Sequence, residues 1–132
     1  MKKELLWLTY TIVLTALLWV PYILNRLREM GIWTAVANSN ADNTPKALWA
    51  KRLMKAHKNA VENLVIFAPL VLALQIVGVS TAMTVTACIV YFFARLTHCV
   101  VYTAGIPFVR TLAFAVGVVC QMTLAIALLK AL

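Results

Sequence analysis

Acidic charge is what this chain has least of. Four Asp and Glu residues stand against twelve Lys and Arg in 132, and only 12% of the chain is charged at all. With 64% hydrophobic residues and a mean hydropathy of +0.90, that scarcity excludes an ordinary soluble domain, which is nearer half apolar. Cysteine is also sparse. Cys88, Cys99 and Cys120 lie in apolar runs and form no CxxC pair, so they read as small buried hydrophobes rather than a disulfide framework. Two histidines, His57 and His98, are too few to make a metal site unaided, and no Ser-His-Asp arrangement offers a nucleophile. Residues 5–20, 64–74 and 113–119 carry no charge, whereas a small transporter needs polar groups near the membrane midplane; transport therefore ranks last among the functions considered. The net charge of +8 does not point to nucleic acid. The basic residues sit between apolar runs, where they act as topology signals and an anion-binding site.

What is present is four apolar runs, read as one all-α integral membrane domain. Helices are the spanning element, since every backbone group in lipid must be paired within its segment. The spans are expected at about residues 5–24, 60–78, 82–102 and 108–129, the first being about 30 Å of helix. Its basic start resembles a signal peptide, but Val20-Pro21-Tyr22 offers no small-residue cleavage site, so it reads as a retained helix. A connector is expected over residues 25–44, broken at Gly31 and through residues 38–43. Thr44 and Pro45 then form an N-cap and first-turn pair, so helix two starts near residue 45 and enters the membrane along a polar stretch. Trp33 and Trp49 suit the interface. Pro69 is expected to bend the span, and Gly78 to end it. The short link 78–81 makes helices two and three an antiparallel hairpin. Seven basic residues lie between spans one and two (Arg26, Arg28, Lys46, Lys51, Arg52, Lys55 and Lys58), and none between spans two and three. Both termini are therefore expected on the non-cytoplasmic side.

The most polar run, residues 51–63, leads directly into an apolar one. On a helix, Arg52, Lys55, Asn59 and Glu62 fall on one face. A basic collar that only anchors the span accounts for the lysines, but not for a carboxylate at the apolar edge, where acids are costly and usually paired. Helix three carries Tyr91, Arg95, His98 and Tyr102 along one face. Pro107 opens helix four and puts Arg110 within a turn of its N-terminus, where the dipole already favours an anion. In an up-and-down bundle these features meet at one end. Arg95 is then the expected partner of Glu62. The surplus of cations calls for an anionic ligand, with Glu62 left to hold an amine. If that ligand carries a thiol, Arg110 is placed to stabilise its thiolate.

The residues also carry a family likeness. The run from Arg52 to Glu62 with Lys55-Ala56-His57 and Asn59, then Arg95-x-x-His98-x-x-x-Tyr102, then Pro107-x-x-Arg110 resembles the membrane-associated proteins in eicosanoid and glutathione metabolism, the MAPEG family, especially its short bacterial members. The resemblance covers nearly all of the chain. It implies a homotrimer of four-helix protomers in a bacterial inner membrane, with glutathione as co-substrate bound between protomers near the cytoplasmic side. It implies glutathione contacts from Asn59, Glu62, Arg95 and Tyr102. Arg52, Lys55, Lys58, His98 and Thr111 are candidates beside them, and Arg110 is the catalytic residue. Lys55 and Lys58 stand where relatives often have arginine, so they offer point charges rather than bidentate contacts. The implied activity is transfer of glutathione to a lipophilic substrate arriving through the bilayer, or peroxide reduction on one. The alternative is a non-catalytic lipid- or glutathione-binding scaffold of the same fold.

Overall fold

The structure is a computed structural model that describes residues 2–37 and 44–132. Its described residues are helical, without a strand, in the order α1 (Lys2–Leu17), α2 (Trp19–Met30), α3 (Ile32–Ala37), α4 (Leu48–Ile76), α5 (Ala82–Ala104) and α6 (Pro107–Leu129). Four helices are long and apolar enough to cross a membrane, with α1 and α2 together making the first. The most apolar stretches of these helices are only 22–44% buried within the chain. Rows of Val, Leu, Ile and Phe, such as Val65, Leu72, Leu112 and Val119, are left on the outside. That surface suits lipid, and the protein is an integral membrane four-helix bundle.

Two departures from the expected elements have local causes. The first span is interrupted for one residue at Leu18, between α1 and α2, where the backbone keeps right-handed helical angles (φ −64°, ψ −22°). Pro21 lacks an N–H and its ring crowds the carbonyl four residues back, at Leu17. The Leu18 N–H turns instead to the Thr15 carbonyl at 3.4 Å. The connector expected from residue 25 is helical to Met30, because Leu24 to Met30 contains no breaker and Asn25 donates to Glu29 one turn on, at 3.0 Å. Gly31, with φ +80°, closes α2, and its N–H reaches the Leu27 carbonyl at 2.9 Å. The break expected over residues 38–43 lies outside the described residues.

Helix α4 starts at Leu48 rather than near Pro45, with an extended Ala47 as its N-cap. The N-cap is thus three residues beyond Thr44, and the Glu29 carboxylate serves it from α2, accepting from the Lys46 N–H at 3.1 and 3.2 Å and the Ala47 N–H at 3.1 Å. A carboxylate there satisfies orphan donors and meets the positive end of the dipole. The helix then runs unbroken through Pro69 for 29 residues, about 44 Å at 1.5 Å per residue. Its buried side, Ala50, Leu53, Ala56, Ala60, Asn63, Phe67, Val71 and Leu74, follows the three-and-four spacing of a packed stripe.

Thr81 and Thr84 form a reciprocal capping box at the start of α5, and Gly105 ends that helix with φ +80°. Near the α4–α5 turn the core is Leu8, Phe67, Val71, Leu74, Cys88, Tyr91 and Leu124 with their neighbours. Phe67 and Tyr91 stack at 3.7 Å with planes 10° apart, a contact worth about 0.5–1.5 kcal/mol beyond its area. A second cluster, Leu18, Leu53, Ala60 and Cys99, lies nearer the α5–α6 turn. All three cysteines are free and buried, as their apolar setting implies. Hydrophobic burial does not drive helix pairing in lipid, so close packing and polar contacts hold these helices together.

Candidate functional site

The polar residues gather at the end of the bundle that carries the start of α4 and the α5–α6 turn. Arg95, on α5, is only 4% exposed. Its Nη2 donates to Asn59 Oδ1 on α4 at 2.6 Å and lies 3.4 Å from His98 Nδ1 one turn on. Because a guanidinium only donates, His98 meets it as an acceptor and keeps its own proton on Nε2. The His98 ring then lies 5.5 Å from that of Tyr102, and the Arg110 guanidinium sits 4.7 Å above the Tyr102 ring, within cation–π range. Asn59, Arg95, His98, Tyr102 and Arg110 thus form one continuous contact chain across three helices.

Arg52 joins from the other side of the turn. A Cβ on Gly105 would come within 2.6 Å of the Arg52 guanidinium, so the backbone there passes directly beneath the charge. The left-handed φ favours glycine at 105, whereas the flexible end of Arg52 can swing clear of an added Cβ. Arg110 lies in the first turn of α6, which has Pro107 at its start and no side-chain cap. A cation at a helix N-terminus opposes the dipole. An anion between Arg110 and the free N–H groups would relieve that conflict.

The expected Glu62–Arg95 pair does not form within the chain. Glu62 is exposed on α4, and Arg95 takes its contact from Asn59 instead. The reason is helical phase: Asn59 and Asn63 point at α5 and α6, while Lys55, Lys58 and Glu62 lie round the helix on an adjacent flank. Lys55 and Lys58 are exposed, and Lys55 lines a concavity of about 390 Å³ with Thr44, Pro45, Lys51 and Met54. Thr111 is exposed as well and donates to the Pro107 carbonyl at 3.2 Å. The structure therefore joins five of the ten candidate residues in that contact chain, sets Arg52 against the α5–α6 turn at the same end, and leaves Lys55, Lys58, Glu62 and Thr111 outside.

The three described carboxylates are all elsewhere. Glu29 caps α4 and Glu62 faces outward. Glu4, only 1% exposed, accepts from Ser80 Oγ and Thr84 Oγ1 at 2.7 Å each, at the opposite end of the bundle. Among the described residues, the buried Arg95 therefore has no carboxylate partner.

Several polar residues outside the expected set take part in the packing. Asn63 donates to Asn59, and Gln121 on α6 donates to Asn63. Tyr22 on α2 hydrogen-bonds His57 Nδ1 at 2.7 Å, tying the first span to α4. The available signals were Asn63 one helical turn after Asn59, at the apolar edge of the polar run, and Gln121, a lone amide within the apolar run of α6. Glu4 carried the same kind of signal in α1.

A four-helix membrane bundle with a cationic polar site at one end is the class defined by this architecture. The chain belongs to the MAPEG family, whose profile matches residues 5–130. That family includes glutathione-dependent transferases and peroxidases. Comparison with curated proteins finds no significant match.

Proposed function

We propose that this protein is a membrane-bound glutathione-dependent transferase or peroxidase acting on a lipophilic electrophile. The observation that carries the reading is Arg95: a guanidinium 4% exposed, held by neutral partners, with Arg110 further along the same contact chain, Arg52 at the α5–α6 turn, and no described carboxylate paired to it. Burying a charge without an opposite one is costly, and a small peptide carrying carboxylates would supply that charge. Glutathione fits such a site. Its carboxylates meet the guanidinium groups, and Glu62 holds its amine. Because Lys55, Lys58 and Glu62 lie on an exposed flank, this reading puts them in contact with ligand at a boundary between protomers, as in a homotrimer.

The thiol then lies toward Arg110 and the uncapped start of α6, where positive charge favours its ionised form. The thiolate attacks the electrophilic carbon and displaces its leaving group, or it attacks a hydroperoxide oxygen, releasing the alcohol and leaving a glutathione sulfenic acid that a second glutathione converts to the disulfide and water. An apolar groove of about 330 Å³ between α5 and α6, lined by Phe93, Ala94, Thr97, Val109, Leu112 and Val116, has one end at Val109, the residue before Arg110, and carries exposed apolar side chains on its outer side. It offers a path for a substrate arriving through the bilayer. The site end faces the cytoplasm in this reading, and both termini face away. Reporter fusions after Leu132 and within residues 38–43 are expected to give opposite signals; like signals would rule out the four-span topology.

The test is a glutathione titration of purified protein, followed by conjugation of a model electrophile. Binding with turnover, and a thiolate absorbance at neutral pH, is the expected result. Binding without turnover or thiolate would favour a non-catalytic scaffold of the same fold. No binding would overturn the glutathione reading.

A further inference from the structure

Behind the Asn59–Arg95 contact runs a chain of amides whose direction is fully set. Gln121 Nε2 lies 3.3 Å from both the Asn63 backbone carbonyl and Asn63 Oδ1. Asn63 Nδ2 lies 2.9 Å from the Asn59 carbonyl and 3.3 Å from Asn59 Oδ1. A backbone carbonyl only accepts, so the Gln121 and Asn63 groups that face these carbonyls are their NH2 ends. Arg95 only donates, so the Asn59 atom 2.6 Å from it is oxygen. All three constraints agree on one polarity, from Gln121 through Asn63 and Asn59 to Arg95.

The consequence falls on Asn59. Its Oδ1 takes donors from both sides, Asn63 and Arg95. Its Nδ2 makes no hydrogen bond among the described residues, and the residue is half-buried rather than sealed. The NH2 group is therefore the end of Asn59 left for a ligand. Gln121, 2% exposed, and Asn63, 9% exposed, sit behind it and away from the surface.

We infer that Gln121 is a positioning residue: through Asn63 it locks the Asn59 carboxamide so that Nδ2 is presented as a donor to an acceptor oxygen of the bound anion. This rests on the glutathione reading for the identity of the ligand, but not for the geometry. Without Gln121, Asn63 loses the donor that holds its Oδ1. Asn63 is then held only through its Nδ2, and Asn59 keeps Arg95 alone to set which end faces outward, so the carboxamide is less firmly fixed. Substitution far from the ligand should thus weaken binding only through Asn59.

The test is a double-mutant cycle with a spectroscopic arm. Gln121→Met keeps an unbranched side chain of similar size and removes the donor. Its glutathione Kd is expected to rise about tenfold, within the worth of one or two buried hydrogen bonds. In an Asn59→Ala background the same substitution is expected to change Kd by less than about twofold, because the coupled element is already gone. An equal loss in both backgrounds, or no loss in either, overturns the proposal. Independently, the Asn59 side-chain NH2 resonances, assigned by their disappearance in Asn59→Ala, are expected to shift and exchange faster with water in Gln121→Met. If they do not move, Gln121 does not position Asn59, whether or not glutathione binds. A parent protein that binds no glutathione overturns the ligand's identity and leaves this second readout to decide the positioning role. If Gln121→Met does not assemble, Gln121→Asn, one methylene shorter, withdraws the same donor and is read the same way.

Discussion

The two ends of the bundle solve opposite electrostatic problems in opposite ways. At one end a carboxylate, Glu4, is buried against two hydroxyls, Ser80 and Thr84, and Thr84 is itself part of the α5 capping box. That cluster ties α1 to the start of α5 with groups the chain supplies itself. At the other end a guanidinium, Arg95, is also buried, but its contacts are an amide and an imidazole, and two further arginines, Arg52 and Arg110, lie at the same end. Both clusters contain an ionisable group at membrane depth, which is costly in either case. The difference is completeness. A charge met by donors from its own chain is a clasp; a surplus of like charge with no counter-charge among the described residues is what we propose a ligand completes.

Substitutions that separate the clasp from the site sharpen this contrast. The largest effect is expected at Arg110. Arg110→Ala should lower conjugation of a model electrophile by about 10²–10³, the usual cost of one transition-state donor, while glutathione affinity stays near that of the parent. The thiolate absorbance should move to higher pH. Equal turnover at saturating glutathione would remove Arg110 from the catalytic role.

Next comes Glu4. Glu4→Leu strips the clasp of its acceptor and leaves the Ser80 and Thr84 hydroxyls to find others. Hydrogen bonds to a charged group contribute about 1.5–3 kcal/mol, so thermal unfolding in detergent should shift clearly downward. Glutathione affinity of the folded fraction should be unchanged. A variant as stable as the parent, or one that loses glutathione binding while folded, would erase the distinction between the two ends.

The smallest effect is expected at Glu62. It is exposed and makes no ion pair with Arg95 inside the chain, so Glu62→Gln should leave monomer packing and unfolding nearly untouched. Glutathione binding should weaken by about tenfold, the scale of one charged hydrogen bond at an edge that admits water. Unchanged affinity would assign Glu62 to the surface.

The fold was largely legible in the chain, because its signals are local. Four apolar runs, the short link before Thr81, and Pro107 after Gly105 specify helices and turns through hydropathy, missing N–H groups and left-handed φ. Those forces act within a few residues. Where the reading strayed, a contact from far along the chain had intervened. Glu29 serves the α4 N-cap, three residues beyond Thr44, and no inspection of residues 44–48 alone reveals it. The break at Leu18 is different in kind. Its cause, Pro21, was in view, but an unbroken apolar run masked it.

For the site, the residue types were determined by the sequence: an excess of arginine and lysine over acid, set at helix ends, with family membership that accounts for residues 5–130. Which of them meet was decided only by tertiary structure. Helical spacing puts Glu62 and Asn59 within one broad face, yet a rotation of less than a quarter-turn sends Asn59 to Arg95 and leaves Glu62 outside. Sequence periodicity does not resolve such an angle, because it depends on how α4 is seated against α5 and α6. The same seating brought Gln121 to Asn63 across 58 residues of chain. A lone amide in an apolar helix says that a partner is needed; only the packing of the helices says which one it finds.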